Sequence, residues 1–228
     1  MGKDIEISRP GEKSFKGYLA KPSSGTDNGK GIVVLQEWWG LVPHIKSVAD
    51  RFAEKGFTAL APDLFEGLET KDPDEAGRLL MALNIEKTEK NLRHAMTRLQ
   101  SELPKPTKVG VVGFCMGGQL ALLAATTSPD LVGAVIDFYG IHPKVNPDFS
   151  QLDCPALGFF AGKDTFVTPD KVDALENAVK KVGKTMEFNR FAEAGHAFFN
   201  DSREDAYNPE LAKLAFEKSL SFFSDSLA

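Results

Sequence analysis

Cysteine is scarce in this chain. Cys115 and Cys154 are the only two in 228 residues, too few and too unlike in context for a disulfide framework, so a reducing compartment is expected. Histidine occurs four times, and no pair of His, Cys or carboxylate residues falls at a metal-ligand spacing such as H-E-x-x-H or C-x-x-C; no metal site is expected. Positive charge is not in excess. Lys and Arg number 27 against 32 Asp and Glu, a net charge of −5, which argues against nucleic acid or an anionic membrane as the main partner. No apolar run approaches membrane-spanning length. The opening residues Met1 to Glu6 lack the apolar core of a signal peptide, and Glu6 stands where N-myristoylation wants Ser or Thr. The expectation is a soluble, cytoplasmic protein. Internal repeats, low-complexity tracts and linkers are missing too, so residues 1–228 read as a single α/β domain, long enough to bury a full core.

What is present is an alternation of apolar strands and amphipathic helices. Ile5–Ile7 and Phe15–Ala20 predict two edge strands joined at Pro10-Gly11. Gly31–Leu35, Phe57–Ala61, Lys108–Gly113, Val132–Phe138, Ala156–Ala161 and Met186–Phe191 read as further strands, several apolar throughout, as strands buried on both faces are. Helices are expected from Pro43 to a stop at Gly56, over about 74–83 and 86–103, after Cys115, from a Thr168-Pro169 cap to about Val182, and from Pro209 onward. This pattern implies a mostly parallel, twisted sheet with helices on both faces.

The richest stretch runs from Val109 to Ala125. Its Val/Gly strand and Ala/Leu helix are joined by Gly113-x-Cys115-x-Gly117, a nucleophile elbow carrying sulfur in place of oxygen. Such a turn is strained and needs small neighbours, and the helix behind it favours a thiolate and a developing oxyanion. Asp164 and His196 follow at the ends of two later strands, giving the chain order nucleophile, acid, histidine. A thiol needs a base near neutral pH, which His196 can supply, and an imidazole needs an orienting acceptor, which Asp164 can supply. The other histidines fit less well. His94 lies within an amphipathic helix, His142 precedes the acid in the chain, and His44 opens the helix after Trp38-Trp39, where packing is the first expectation and a place at the pocket's border the alternative. Cys154, before Pro155, reads as a small buried residue.

Gln36-Glu37-Trp38-Trp39-Gly40, Ala61-Pro62-Asp63-Leu64, Gly113-Phe114-Cys115-Met116-Gly117-Gly118, Gly162-Lys163-Asp164 and Gly195-His196-Ala197-Phe198, in this order over nearly the whole chain, resemble the dienelactone hydrolase family. The resemblance implies an α/β-hydrolase fold without a large cap domain, a Cys-His-Asp triad, and hydrolysis of esters or lactones without a cofactor. It marks Glu37 as a carboxylate beside the resting nucleophile, and it puts the oxyanion hole at the backbone N–H groups of Trp38 and Met116. The family member acting on dienelactone grips the substrate carboxylate with arginines, one of them four residues after the catalytic histidine. Here that position is Asn200, with Arg78 and Arg203 as the cations that could stand in. Trp38, Trp39, Tyr139, Phe198 and Phe199 suggest an aromatic-lined pocket instead.

The reading is a cysteine hydrolase acting on a small-molecule ester or lactone, as a monomer or small homo-oligomer. Cys115, His196, Asp164 and Glu37 form its centre, and Trp39, Arg78, Tyr139, Phe198 and Asn200 contact substrate. The rivals are a thioesterase or peptide hydrolase on the same fold, and a non-catalytic binding or redox-sensing protein that keeps a reactive thiol.

Overall fold

The computed structural model describes residues 2–228. Eight strands form one sheet: β1 (Lys3–Arg9), β2 (Glu12–Ala20), β3 (Gly31–Leu35), β4 (Thr58–Pro62), β5 (Val109–Phe114), β6 (Val132–Phe138), β7 (Ala156–Ala161) and β8 (Glu187–Phe191), in the order β1-β2-β4-β3-β5-β6-β7-β8. β1 and β2 pair antiparallel, β2 pairs antiparallel with β4, and the remaining neighbours are parallel. Six α-helices accompany them: α1 (Pro43–Glu54), α2 (Pro73–Ala82), α3 (Ile85–Gln100), α4 (Met116–Thr127), α5 (Pro169–Lys181) and α6 (Pro209–Ser226). This is the mostly parallel, helix-covered sheet of an α/β-hydrolase. No helix among the described residues is long and apolar enough to cross a membrane.

The two-residue period of the strands sorts the core into two layers. In β3, Ile32 and Val34 pack with Ile45, Val48 and Phe52 of α1 and Phe216 and Phe223 of α6. Val33 and Leu35 point the other way, against Leu92, Met96 and Leu99 of α3 and Leu120 and Ala124 of α4. Every residue of β3, β5 and β7 is buried, which is why those strands carry no polar alternation.

The expected elements are present, with boundaries moved by a few residues. β4 starts at Thr58 and takes in Pro62, which needs no N–H because it ends the strand. α3 begins at Ile85 because Asn84 caps it, accepting from the Lys87 N–H at 2.9 Å, and it stops at Gln100. Thr168 does occupy the N-cap of α5, but its side chain makes no cap bond; Pro169 alone presets the first turn.

Between β3 and β5 the connections reverse direction: the chain leaves β3 for β4 on one side, then returns to β5 on the other. The loops beyond the carboxyl ends of β3 and β5 therefore part at this point and leave a crevice, where ligands of open α/β sheets bind.

Candidate active site

Cys115 stands at the crevice between β5 and α4 with φ 53° and ψ −119°. A side chain in this left-handed region costs roughly 1–3 kcal/mol, so the surroundings must enforce it. They do so by close approach. A Cβ on Gly113 would sit 1.8 Å from the Gly117 carbonyl oxygen, and one on Gly117 would sit 2.6 Å from the carbonyl oxygens of Leu35 and Gln36. The Cys115 N–H donates to Phe138 O at 2.9 Å, and Cys115 O accepts from Ile141 at 3.2 Å. The turn at Cys115 is thus pinned between the ends of β3 and β6, with Met116 as first residue of α4 and its N–H free of any intrahelical partner.

Asp164 follows β7 and His196 follows β8. The two loops are stitched together: Lys163 N donates to Ala194 O at 2.9 Å, and Gly162 packs on Ala192 so closely that a Cβ would lie 2.5 Å from its carbonyl oxygen. Asp164 Oδ1 accepts from the N–H groups of Phe166 (2.7 Å) and Val167 (2.8 Å), and Oδ2 lies 2.7 Å from His196 Nδ1. Burial would raise the Asp164 pKa, but its bonds to His196 and to Val167 and Phe166 hold it below the ordinary carboxylate range. Burial likewise opposes a charge on His196. Its hydrogen bond to Asp164 and the proximity of Cys115 outweigh that effect and push its pKa up to about 10. With Nδ1 held by Asp164, Nε2 is the nitrogen left to face Cys115.

Glu37 is buried after β3 and lines the same cavity as Cys115. Among the described residues no hydrogen bond joins it to Cys115. Its Oε2 accepts from Asn200 Nδ2 at 2.6 Å, while Oε1 is buried without a partner. Asn200 Oδ1 accepts from Ser202 N (3.0 Å) and Ser202 Oγ (2.6 Å), which fixes the amide with its nitrogen toward Glu37. The Tyr139 hydroxyl is also buried without a hydrogen bond that meets ordinary geometry. Burial raises its pKa well above the usual phenol range, and the nearby Glu37 and Cys115 add to the effect.

These groups open on a cavity of about 1040 Å³, whose wall includes Glu37, Trp38, Trp39, Cys115, Phe166 and His196. Of the residues expected to contact substrate, Trp39 lines it. Tyr139, Phe198 and Asn200 are buried behind the wall, and Tyr139 and Phe198 stack edge-on there at 5.4 Å. Arg78 is exposed on α2 and is not part of the wall. Arg203 does reach the wall, with its guanidinium paired to both oxygens of Asp205 at 2.9 and 2.7 Å. His142 accepts at Nδ1 from Lys144 N and donates from Nε2 to Leu80 O, so neither nitrogen is free to act as a base.

Two further features complete the site, the first of them unread in the sequence. Phe166 lies over the site, with its ring 5.1 Å from His196 and 6.2 Å from Trp38; its place two residues after the acid, in a chain-reversing loop, was the available signal. His44 borders the cavity and pairs with Asp201, a link across 157 positions that no local pattern announces.

A family model described as the dienelactone hydrolase family matches residues 15–227. Over the full length of both chains, the sequence is 36% identical to Protein usf of Aquifex pyrophilus. It is 34% identical, again over the full length of both, to an Aquifex aeolicus protein that carries the provisional name carboxymethylenebutenolidase. Among solved structures, one from Klebsiella pneumoniae, described provisionally as a dienelactone hydrolase, superimposes with a TM-score of 0.87 at 26% identity, covering 98% of this chain and 99% of that one.

Proposed function

The chain belongs to the dienelactone hydrolase family, and from that premise we propose that it hydrolyses esters or lactones through a thioester on Cys115. The observation that carries the reading is the line Asp164–His196–Cys115, in which Nδ1 is held at 2.7 Å and the imidazole is pushed up to about pKa 10 beside the thiol.

The Cys115 thiolate attacks the substrate carbonyl carbon, and the carbonyl electron pair moves onto oxygen. The N–H groups of Met116 and Trp38 receive that oxyanion, one from the helix start and one from the loop after β3. As the tetrahedral species collapses, the imidazolium of His196 gives its proton to the leaving alkoxide, and an alcohol departs from the thioester. Neutral His196 then takes a proton from water. The hydroxide adds to the thioester carbonyl, and expulsion of the thiolate yields the carboxylic acid and restores the ion pair. Asp164 stays ionised and keeps the ring in place.

The cavity wall supports a largely apolar acyl or alcohol group: Trp38, Trp39, Val42, Leu80, Ile141 and Phe166 all contribute. The test is turnover of a panel of nitrophenyl esters with and without iodoacetamide, with intact-mass detection of an acyl adduct on the Cys115 peptide. Full turnover after complete alkylation of Cys115 overturns the proposal.

A further inference from the structure

A second histidine–carboxylate pair borders the same cavity, and the chemistry above does not use it. His44 stands in the first turn of α1, just after the loop that carries Glu37 and Trp38. Its side chain is 1% exposed, and its Nδ1 lies 2.8 Å from Asp201 Oδ1. A carboxylate can only accept, so Nδ1 carries the proton. Asp201 is half in solvent, with 46% of its side chain exposed, so the pair is tethered at one end and open at the other.

Asp201 directly follows Asn200, whose amide is locked by Ser202 and donates to Glu37. The contacts therefore run from α1 through Asp201 and Asn200 to Glu37, joining the turn after His196 to the loop after β3. What they restrain is a buried carboxyl with one oxygen unsatisfied. Such a group turns toward any donor it can reach. The donors in its neighbourhood are the Tyr139 hydroxyl, on which Glu37 acts directly, the Arg203 guanidinium and the Cys115 thiol; Glu37 and Cys115 both act on Tyr139 and both face the cavity. A carboxylate that accepted from the thiol would keep the proton on sulfur, because a second negative charge beside it is repelled.

We propose that His44 and Asp201 are a positioning pair: by pinning the 200–202 turn to the start of α1 they keep the Asn200 amide on Glu37 and so keep that carboxylate off the Cys115 thiol. The inference rests on the reading of Cys115 as nucleophile, but its readout is thiol reactivity rather than turnover. The charged and titratable groups around the thiol are Glu37 from the loop after β3, Tyr139 after β6, Asp164 after β7 and His196 after β8; only the first is released when the pair is broken.

The experiment measures alkylation of Cys115 by iodoacetamide in the full chain, across pH, by peptide mass spectrometry; this separates it from Cys154, whose pKa burial raises to about 11. His44→Phe keeps a ring between Phe114 and Phe199, each 6.4 Å away, and removes the donor. Asp201→Ala breaks the pair from its exposed end and serves should the first variant fold poorly. Both are expected to move the reactivity profile to higher pH, with alkylation at neutral pH down about tenfold. His44→Asn, whose amide N–H can replace Nδ1, restores the wild-type profile. In a Glu37→Gln background His44→Phe adds no further shift. A profile for Asp201→Ala that overlays wild type, or an equal shift without the Glu37 charge, overturns the proposal. Failure of the nucleophile reading shows separately, as retained ester turnover by Cys115→Ala.

Discussion

Asp164 spends both of its carboxylate oxygens: Oδ1 on the N–H groups of Phe166 and Val167, and Oδ2 on His196 Nδ1 at 2.7 Å. The acid is thereby fixed as an acceptor, and the imidazole it faces is held in one orientation with its proton retained.

That relationship sets a pH dependence. The His196 pKa is raised from an ordinary 6.5 to about 10, so the stability it contributes is full below about pH 6.5 and is lost as pH climbs through 10. Asp164 is shifted the other way; its contribution is present above the ordinary carboxylate range and is lost as pH falls through its depressed value. Asp164→Asn is expected to lower the melting temperature most near neutrality, with the gap narrowing toward both extremes. In ester turnover, the falling alkaline limb that tracks the imidazolium near pH 10 moves to lower pH in Asp164→Asn. Melting curves and rate profiles on the same pH series check both; a limb that stays in place means Asp164 does not set the His196 charge.

Cys115→Ala and Cys115→Gly are expected to lose hydrolysis alike, by at least about a thousandfold, as removal of a nucleophile does. Their stabilities separate them. At φ 53° a glycine relieves strain that alanine retains, so Cys115→Gly is expected to exceed Cys115→Ala by about 1 kcal/mol in denaturant unfolding. Equal midpoints at equal slopes would remove the strain argument.

The sequence already carried this much of the site because each part is local. The elbow is written in Gly113, Cys115 and Gly117; Asp164 closes an apolar run that marks a buried strand, and His196 follows the short, half-exposed edge strand Glu187–Phe191. The partners of Glu37 and His44 were not legible. Asn200 and Asp201 meet them across 163 and 157 positions, and such contacts follow from how the loops fold over the sheet rather than from any spacing. The resemblance set Glu37 beside the thiol and named no partner for it; that partner, Asn200, is set by the loop fold. Gly162 and Gly195 looked equivalent beside the acid and the base. In the structure Gly162 packs on Ala192, whereas Gly195 has no atom near its Cβ position.

The glycines therefore offer a paired test of the elbow. Gly117→Ala places a methyl 2.6 Å from two backbone carbonyl oxygens at the end of β3, neither of which can swing aside. It is expected to cost roughly 3 kcal/mol or more, the range of an overpacked site, or to prevent folding. Gly195→Ala, one residue before His196, meets open space and should stay within about 0.5 kcal/mol of wild type. Chemical denaturation of both variants checks the contrast; comparable losses at the two positions would mean the close approach at Gly117 is relieved by movement of α4.

Phe166 separates the recognition of substrate from the chemistry. Its backbone N–H holds Asp164, while its side chain, 52% exposed, leans over His196 and toward Trp38. Truncation to alanine leaves the N–H in place, so Asp164 and His196 keep their geometry and only the aromatic surface over the cavity is lost. An aromatic pair contributes about 0.5–1.5 kcal/mol beyond area burial. Phe166→Ala is therefore expected to lower kcat/KM for aryl or long-chain esters by roughly three- to tenfold, chiefly through KM. A short acetate ester of a small alcohol, which does not reach the ring, should be hydrolysed at nearly the wild-type rate. Steady-state kinetics on the two substrate classes decides the matter: an equal loss of kcat on both would put Phe166 among the groups that orient Asp164 and His196, and would leave the choice of substrate to Trp38, Trp39 and the α2 side of the cavity.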